Sequence, residues 1–396
     1  MRDAEIRMES LSAVIAPNGY GKSNLLRAIS MGLNYLHADG NQRQQLLRDQ
    51  QAIPVNKAMA REPYFLEISG KESEEPDAML FQYRLDLAWA TETEPGYVRA
   101  EQLLIKQTGD QRFRKLLVRE SKDCFLIQSA PTGRCNRQMS VEPEMPALQR
   151  AAGMEATFQQ GLIRAIFRLT IPNLETLDNP ETYFSLDGRG IALLDGQTLS
   201  EYLYRLREED HLRYSVLQDG LKQLIPNVMD LEPVEVTLGD GHSHLYDIRV
   251  TERHNLQPTS IRFLSSGSKR MVFLFTLCLA AAKRGIPMLM LEEPENSVHP
   301  RLMENLLLAM HSYAEECQIL ITSHSPYLMR YLGDRQMYFG LPNEDGVADF
   351  RRIRPAKLKA LRRQAGELEL TLGEYMFDFM LDMEDRPDEV DTYFGE

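Results

Sequence analysis

The sequence predicts an α/β fold with a mixed or parallel sheet core, an antiparallel β subdomain and a helical insertion. Three observations carry that prediction. A short apolar run, Leu11–Ile15, leads into a glycine-rich turn and then into a segment whose apolar residues Leu25, Leu26, Ile29 and Leu33 recur at helical spacing. Two further apolar runs, Met288–Leu291 and Gln318–Thr322, are followed by carboxylates and by a histidine, and such runs read as buried strands. Between residues 64 and 128 the period changes to two, with turn residues such as Glu94-Pro95-Gly96 and Thr108-Gly109-Asp110 between the runs.

Residues 16–24 read Ala-Pro-Asn-Gly-Tyr-Gly-Lys-Ser-Asn. Between a strand and a helix, this is the setting of a phosphate-binding P-loop. Asn18, Gly19, Tyr20 and Gly21 form the curl, and the two glycines let several N–H groups turn inward onto a phosphate chain. The helix beginning nearby adds its positive end. Lys22 is expected to reach the β and γ phosphates and Ser23 to sit on magnesium, with Asn24 completing the binding stretch. Ala16 stands where the motif usually has its first glycine, which predicts a tighter start to the loop because alanine resists a positive φ.

The 396-residue length favours two packed lobes over one. Four cysteines, at 124, 135, 278 and 317, show no C-x-x-C spacing, as expected of reduced thiols in the cytoplasm. The charged N-terminus lacks an apolar signal segment. The longest apolar run, Met271 to Ala282, is too short to span a bilayer and is bracketed by basic pairs, so it reads as a core helix and no membrane partner is expected. The net charge is −13, and Glu367 to Glu396 holds eleven acids against the single base Arg386, leaving the remainder near −3. An acidic total does not exclude nucleic acid, since a local basic strip can still act.

Along the chain, an edge strand is expected around Glu5–Met8, then a helix and loops through residue 62. Strands are expected at Tyr64–Ser69, Met79–Trp89, Tyr97–Lys106, Arg112–Arg119 and Asp123–Gln128, and a loop over 129–146. Leu148–Leu169 and Thr198–Leu224 read as helices, and Leu231–Leu238 with Leu245–Thr251 as a hairpin around Gly239-Asp240-Gly241. His242, His244 and Asp247 beside it lack a third convincing ligand for a metal and read as a polar hairpin tip. The division expected is 1–128, a first lobe with the P-loop and antiparallel sheet; 129–230, a helical insertion; 231–345, a second lobe; and 346–396, a basic segment with an acidic helical tail.

The second lobe carries the complementary chemistry. Ser265-Ser266-Gly267 opens the apolar helix and offers hydroxyl and N–H donors to an anion, although serines also serve as ordinary caps. Glu292-Glu293-Pro294-Glu295 follows a buried strand, as in a Walker B motif. Glu292 would hold magnesium and Glu293 would polarise the attacking water as general base. His324 ends the next strand, where ligands bind in open α/β sheets, and would contact the γ-phosphate or the water.

Together, APNGYGKSNLLRAI at 16–29, FLSSGSKR at 263–270, LMLEEPENSVHP at 289–300 and ILITSHSPYLM at 319–329 resemble the ATP-binding-cassette (ABC-type) P-loop NTPases of the SMC, Rad50 and RecF type. Within that group the chain looks like the bacterial AAA15/AAA21 family, related to the ATPase domain of overcoming-lysogenization-defect nucleases. The resemblance implies ATP and Mg2+ as ligands and a homodimer, or a higher homo-oligomer, with two shared ATP sites. In it, Ser265 and Gly267 of one copy complete the site of the other, His324 is the switch histidine, and Asn296 to Pro300 face the partner. Gln128 is the candidate for the Q-loop glutamine. The first strand lacks the fuller aromatic motif of the family, and Glu292 replaces the more usual aspartate. Nothing after His324 resembles a Toprim nuclease.

Two basic strips, Arg351 to Arg363 and Arg112 to Lys122, are candidates for nucleic acid or for solvated faces that pair with the acidic tail. An apolar helical face within the tail (Leu368, Leu372, Tyr375, Met376, Phe379, Met380) suits docking on its own lobe or on a partner. The expected function is an ATP-hydrolysing switch in anti-phage defence or DNA maintenance, acting through a separate effector protein. The alternatives are a nucleotide-clamped scaffold with little turnover and, less consistent with the long insertion, a transporter ATPase.

Overall fold

The computed structural model describes residues 4–48, 62–73, 75, 77–131, 134–154, 158–169, 171–174, 198–237, 244–341, 347–383 and 386–395. In chain order, β1 (Leu11–Ile15) is followed by α1 (Lys22–His37), α2 (Gly40–Arg48), β2 (Tyr64–Lys71), β3 (Leu80–Ala88), β4 (Tyr97–Lys106), β5 (Arg114–Arg119), β6 (Cys124–Gln128) and β7 (Cys135–Ser140). Then come α3 (Ala147–Ala152), α4 (Gln160–Phe167), β8 (Asn173–Leu174), α5 (Leu199–Glu209), α6 (His211–Leu224), β9 (Val228–Thr237), β10 (His244–Glu252) and β11 (Thr259–Ser260). The last third comprises α7 (Ser266–Lys283), β12 (Met288–Glu292), α8 (Met303–Ala314), β13 (Gln318–Ser323), α9 (Pro326–Met329), β14 (Met337–Leu341), β15 (Asp349–Ile353), α10 (Pro355–Glu367), α11 (Leu372–Asp382), α12 (Pro387–Tyr393) and β16 (Phe394–Gly395). The chain divides into two units, Met1–Ser23 with Ile171–Glu396, and Asn24–Thr170.

The first unit is built on a seven-stranded mixed sheet of order β16-β15-β14-β1-β13-β12-β8. The five strands from β14 to β8 run parallel; at one edge β15 pairs antiparallel with β14, and β16 antiparallel with β15. Every residue of β1 and β14 is buried, and so are Ile319–Ser323, which is why these segments read as unbroken apolar runs rather than alternating ones. Arginine- and lysine-flanked α7 is buried along nearly its whole length, from Lys269 to Ala281, as a core helix. No helix among the described residues is long and apolar enough to cross a membrane. A separate three-stranded sheet, β11-β10-β9, contains the expected hairpin; its tip, including His242, lies outside the described residues. Among those residues no group of three or more His, Cys, Asp or Glu is placed to hold a metal.

The second unit carries a six-stranded antiparallel meander, β2 to β7 in sequence order. Buried Tyr83, Leu85 and Leu87 of β3 alternate with more exposed neighbours, the signature of one covered face. Two of its buried charged groups are well paired. Glu101 accepts from the Tyr83 hydroxyl at 2.9 Å and from the backbone N–H groups of Ala147 and Leu148 at 2.6 and 2.8 Å. Arg119, 1% exposed, donates to the carbonyls of Ser121, Lys122, Glu142, Pro143 and Met145. A buried charge so paired is tolerated where an orphaned one would cost several kcal/mol.

Four local expectations differ from the structure. Glu5–Met8 forms no strand: both sides of β1 are already taken by β13 and β14, and the segment is tied by side chains instead. The Arg7 N–H donates to the Tyr338 hydroxyl at 2.7 Å, and Arg352 donates to the Arg7 carbonyl at 2.8 Å. Within the expected loop at 129–146, β7 pairs as the meander's last strand; Cys-Asn-Arg-Gln-Met-Ser is largely solvent-facing and has no apolar alternation to reveal it. The single helix expected over Leu148–Leu169 is two, broken after Gly153, with Gln159 at φ 59° before α4. Likewise Thr198–Leu224 breaks at Asp210, whose carboxylate caps α6 by accepting from Arg213 N at 3.2 Å.

The acidic tail docks on its own unit. Met376, Phe379 and Met380 are buried, whereas Leu368 is left exposed. Phe394 is fully buried with its ring centroid 5.5 Å from Phe339 and 6.1 Å from Phe379.

Candidate nucleotide site

The strand order positions the site. β13 lies between β1 and β12, with Ile15 opposite Ser323 and Thr322 opposite Glu292. Neighbouring strands are roughly 4.8 Å apart, so the loops leaving their carboxyl ends open side by side. Those loops are Ala16–Gly21, Glu293–Val298 and His324-Ser325, all in the first unit.

Gly19 and Gly21 sit at φ +88° and +84°, the left-handed backbone that a phosphate-cradling curl requires. Ala16 is not among the positive-φ residues. It is fully buried, its N–H donates to the Ser323 carbonyl at 3.1 Å, and its methyl lies where a side chain on Gly340 would collide, 2.6 Å away. The alanine therefore occupies a position where this fold needs no glycine, and the glycine is required in the neighbouring strand instead. Asn18 and Gly19 are exposed at the tip, Tyr20 packs partly against the core, and Asn24 is half-buried in the first turn of α1.

Lys22 is 6% exposed, and its ammonium donates to the carbonyls of Ala16 at 2.8 Å and Pro17 at 3.1 Å. It faces Glu293 Oε1 at 3.9 Å. Burial lowers its pKa, and Glu293, Glu295 and Glu292 work against that. The Ser23 hydroxyl donates to Glu292 Oε1. A serine hydroxyl beside one carboxylate is an all-oxygen donor pair, which suits a hard divalent cation that keeps waters and phosphate oxygens as its other ligands.

Glu293 adopts φ 44°, a conformation that costs a non-glycine residue roughly 1–2 kcal/mol. In an extended strand successive side chains alternate faces, so Glu292 and Glu293 would point apart. The left-handed turn redirects Glu293, whose Oε1 meets His324 Nδ1 at 2.8 Å and whose Oε2 accepts from Asn296 Nδ2 at 3.0 Å. Burial pushes the Glu293 pKa up, but the hydrogen bonds from His324 and Asn296 and the attraction of His324 and Lys22 outweigh it and hold the carboxyl below its ordinary value. Its backbone is pinned on both sides: the N–H donates to the Thr322 carbonyl at 2.9 Å, and the carbonyl accepts from buried Arg270 at 3.2 Å.

Ser265 and Ser266 are exposed at the start of α7. The Ser265 hydroxyl caps that helix, accepting from Ser268 N at 3.2 Å. Gly267 abuts the loop after Glu293, where an added Cβ would lie 2.4 Å from the Ser297 carbonyl oxygen. A main-chain oxygen cannot step aside cheaply, so Gly267→Ala is expected to destabilise by roughly 1–3 kcal/mol, measured by urea unfolding. An unchanged midpoint would show that this contact is slack.

Lys22, Ser23, Glu292, Glu293 and His324 are thus brought together, while Gly267 abuts the same loop. Arg270, Asn296, Glu295 and Ser323 also shape the site. The signal for two of them lies in the string Glu292 to Asn296, where Glu295 and Asn296 continue the run of polar groups that follows a buried strand. Gln128 is buried, with its amide donating to the Ala130 and Pro131 carbonyls of its own turn. Some members of the basic strips are paired with acids within the chain. Arg351 pairs with Asp349 and Asp391, Arg362 with Asp334, Arg363 with Glu367, Arg114 with Asp110, and Lys122 with Glu94. Such pairs add little stability but flatten the local potential.

A strand, glycine curl and helix, with a strand-borne carboxylate pair and a histidine beside it, form a site of P-loop type in an α/β fold. Residues 170–330 match the family described as AAA_21: AAA domain, putative AbiEii toxin, Type IV TA system. Similar solved structures include the SmcHead bound to the C-winged helix domain of ScpA (13% identity, TM-score 0.45, 90% of this chain and 94% of that chain covered). Others are the SMC head domain from Thermotoga maritima (13%, 0.35, 88% and 92%) and an Smc head domain with an extended coiled coil, bound to the C-terminal domain of ScpA derived from Pyrococcus furiosus (12%, 0.39, 91% and 94%).

Proposed function

We propose that this chain is an ATP-hydrolysing switch whose heads pair on binding ATP and part after hydrolysis. The observation that carries the reading is the convergence at the ends of three adjacent parallel strands: Lys22 faces Glu293 at 3.9 Å, and His324 meets the same carboxylate at 2.8 Å. In this reading the Asn18–Asn24 loop cradles the triphosphate through its N–H groups, and Lys22 leaves its carbonyl partners for the β and γ phosphates. Ser23 and Glu292 would hold Mg2+, which when bound neutralises charge building on the phosphate oxygens. Glu293 accepts a proton from the attacking water, and His324 orients that carboxylate from the opposite side. The Ser265-Ser266-Gly267 turn, whose two serines are exposed, is the surface that meets the nucleotide of a second copy.

The family description and the motif resemblance support a role in anti-phage defence or a toxin-related system, through a separate effector protein. The reading is tested by calorimetric titration of MgATP into wild type and Lys22→Ala. Loss of a charged hydrogen-bond donor is expected to weaken binding roughly tenfold to a hundredfold. Equal affinities would remove this loop from nucleotide binding.

A further inference from the structure

Glu295 is 6% exposed and is used by none of the steps above. Its Oε1 accepts from the Ser323 hydroxyl, and that hydroxyl oxygen in turn accepts from Ser325 N at 2.9 Å. Ser323 is itself fully buried, and its carbonyl receives the Ala16 N–H at 3.1 Å. His324 lies between the two serines. The turn that aims its imidazole is therefore closed at the far side by one carboxylate from the neighbouring strand's loop. Glu295 Oε2 and Thr322 Oγ1 are buried without a hydrogen-bond partner among the described residues. A buried acid with one oxygen unmet calls for an explanation, and the other oxygen's acceptance of the Ser323 hydroxyl supplies one. Burial pushes the Glu295 pKa up against the Ser323 hydrogen bond, and nearby Glu293 pushes it the same way.

We infer that Glu295 is a positioning residue for hydrolysis: through Ser323 it holds the Ser323–Ser325 turn so that His324 stays on Glu293. The inference rests on the ATPase reading. Without the carboxylate, the Ser323 hydroxyl can rotate toward other acceptors, the turn loses its anchor, and the imidazole samples positions away from the base. Chemistry suffers, while the phosphate cradle, built from the other loop, keeps its grip on ATP.

The experiment is steady-state ATP turnover by wild type, Glu295→Ala, Glu295→Gln, Ser323→Ala and the Glu295→Ala/Ser323→Ala double variant, each checked for folding by circular dichroism. Displacing a catalytic group by about an ångström can cost a hundredfold, so kcat of Glu295→Ala is expected to fall roughly tenfold to a hundredfold, with KM held within about twofold. Glu295→Gln, which still offers an oxygen to Ser323, should stay within about threefold of wild type, and the double variant should be no slower than the slower single variant. Wild-type kcat in Glu295→Ala, a loss of equal size in Glu295→Gln, or additive losses in the double variant would overturn the inference. If Glu295→Ala does not fold, Ser323→Ala and Glu295→Gln decide it, since a Ser323→Ala variant with wild-type kcat refutes the relay. A wild type without turnover would defeat the ATPase reading itself, whereas an active wild type with an indifferent Glu295 defeats only this inference.

Discussion

Glu293→Gln is expected to lower ATP turnover by about 10²–10⁴-fold, the usual contribution of a positioned general base, while leaving MgATP affinity close to wild type. The amide keeps the volume and one oxygen for His324 or Asn296 but cannot take a proton from water. Unhydrolysed ATP should then hold the heads together, so gel filtration with MgATP should show a larger species for Glu293→Gln than for wild type. Wild-type turnover in this variant would remove Glu293 from the base role. The same groups set a pH expectation. The folded-state pKa of Glu293 is depressed, so its stabilising contribution is fully present above the unfolded value and is lost as pH falls through the folded one. That window lies below about 4.5, leaving the Glu293 carboxylate ionised throughout the neutral range. Glu293→Gln removes this contribution, so its stability should vary less than that of wild type across the acid window.

Phe394→Ala should cost about 3–5 kcal/mol, the range for emptying a buried aromatic site. The ring is fully buried against Phe339 and Phe379, and its strand pairs with β15 through Ile353. For a unit of this size the melting temperature should drop by roughly 6–20 °C, as read by scanning calorimetry. A shift below a degree would mean that the tail is an appendage held for a partner. The prediction separates the two uses that an acidic, apolar-faced tail can have, because only self-docking links the last residues to the stability of the nucleotide-binding unit.

Much of the site was legible because its chemistry is local. Gly19, Gly21, Lys22 and Ser23 act through a backbone curl and a helix start that depend on near neighbours in sequence. Buried parallel strands announce themselves as apolar runs, and so β1, β12 and β13 were readable. Where the signal was weak, the reason is physical. The β7 strand lies largely in solvent and shows no apolar alternation, and the breaks at Gly153 and Asp210 fall within stretches whose apolar residues continue on both sides. The Glu5–Met8 segment alternates polar and apolar residues as a strand would, but both sides of β1 are already paired.

The sequence by itself determined a glycine curl for phosphate, two carboxylates and a histidine at strand ends, and a serine turn opening a buried helix. Those are properties of side-chain type and short-range backbone preference. Tertiary structure alone decided that β13 runs between β1 and β12, which makes neighbours of loops separated by some three hundred residues. It also decided that Glu293 turns left-handed to bring its carboxylate to Lys22 and His324, and that Glu295 anchors the histidine turn from behind. Strand order and a strained φ depend on which surfaces pack together, and no local preference encodes that.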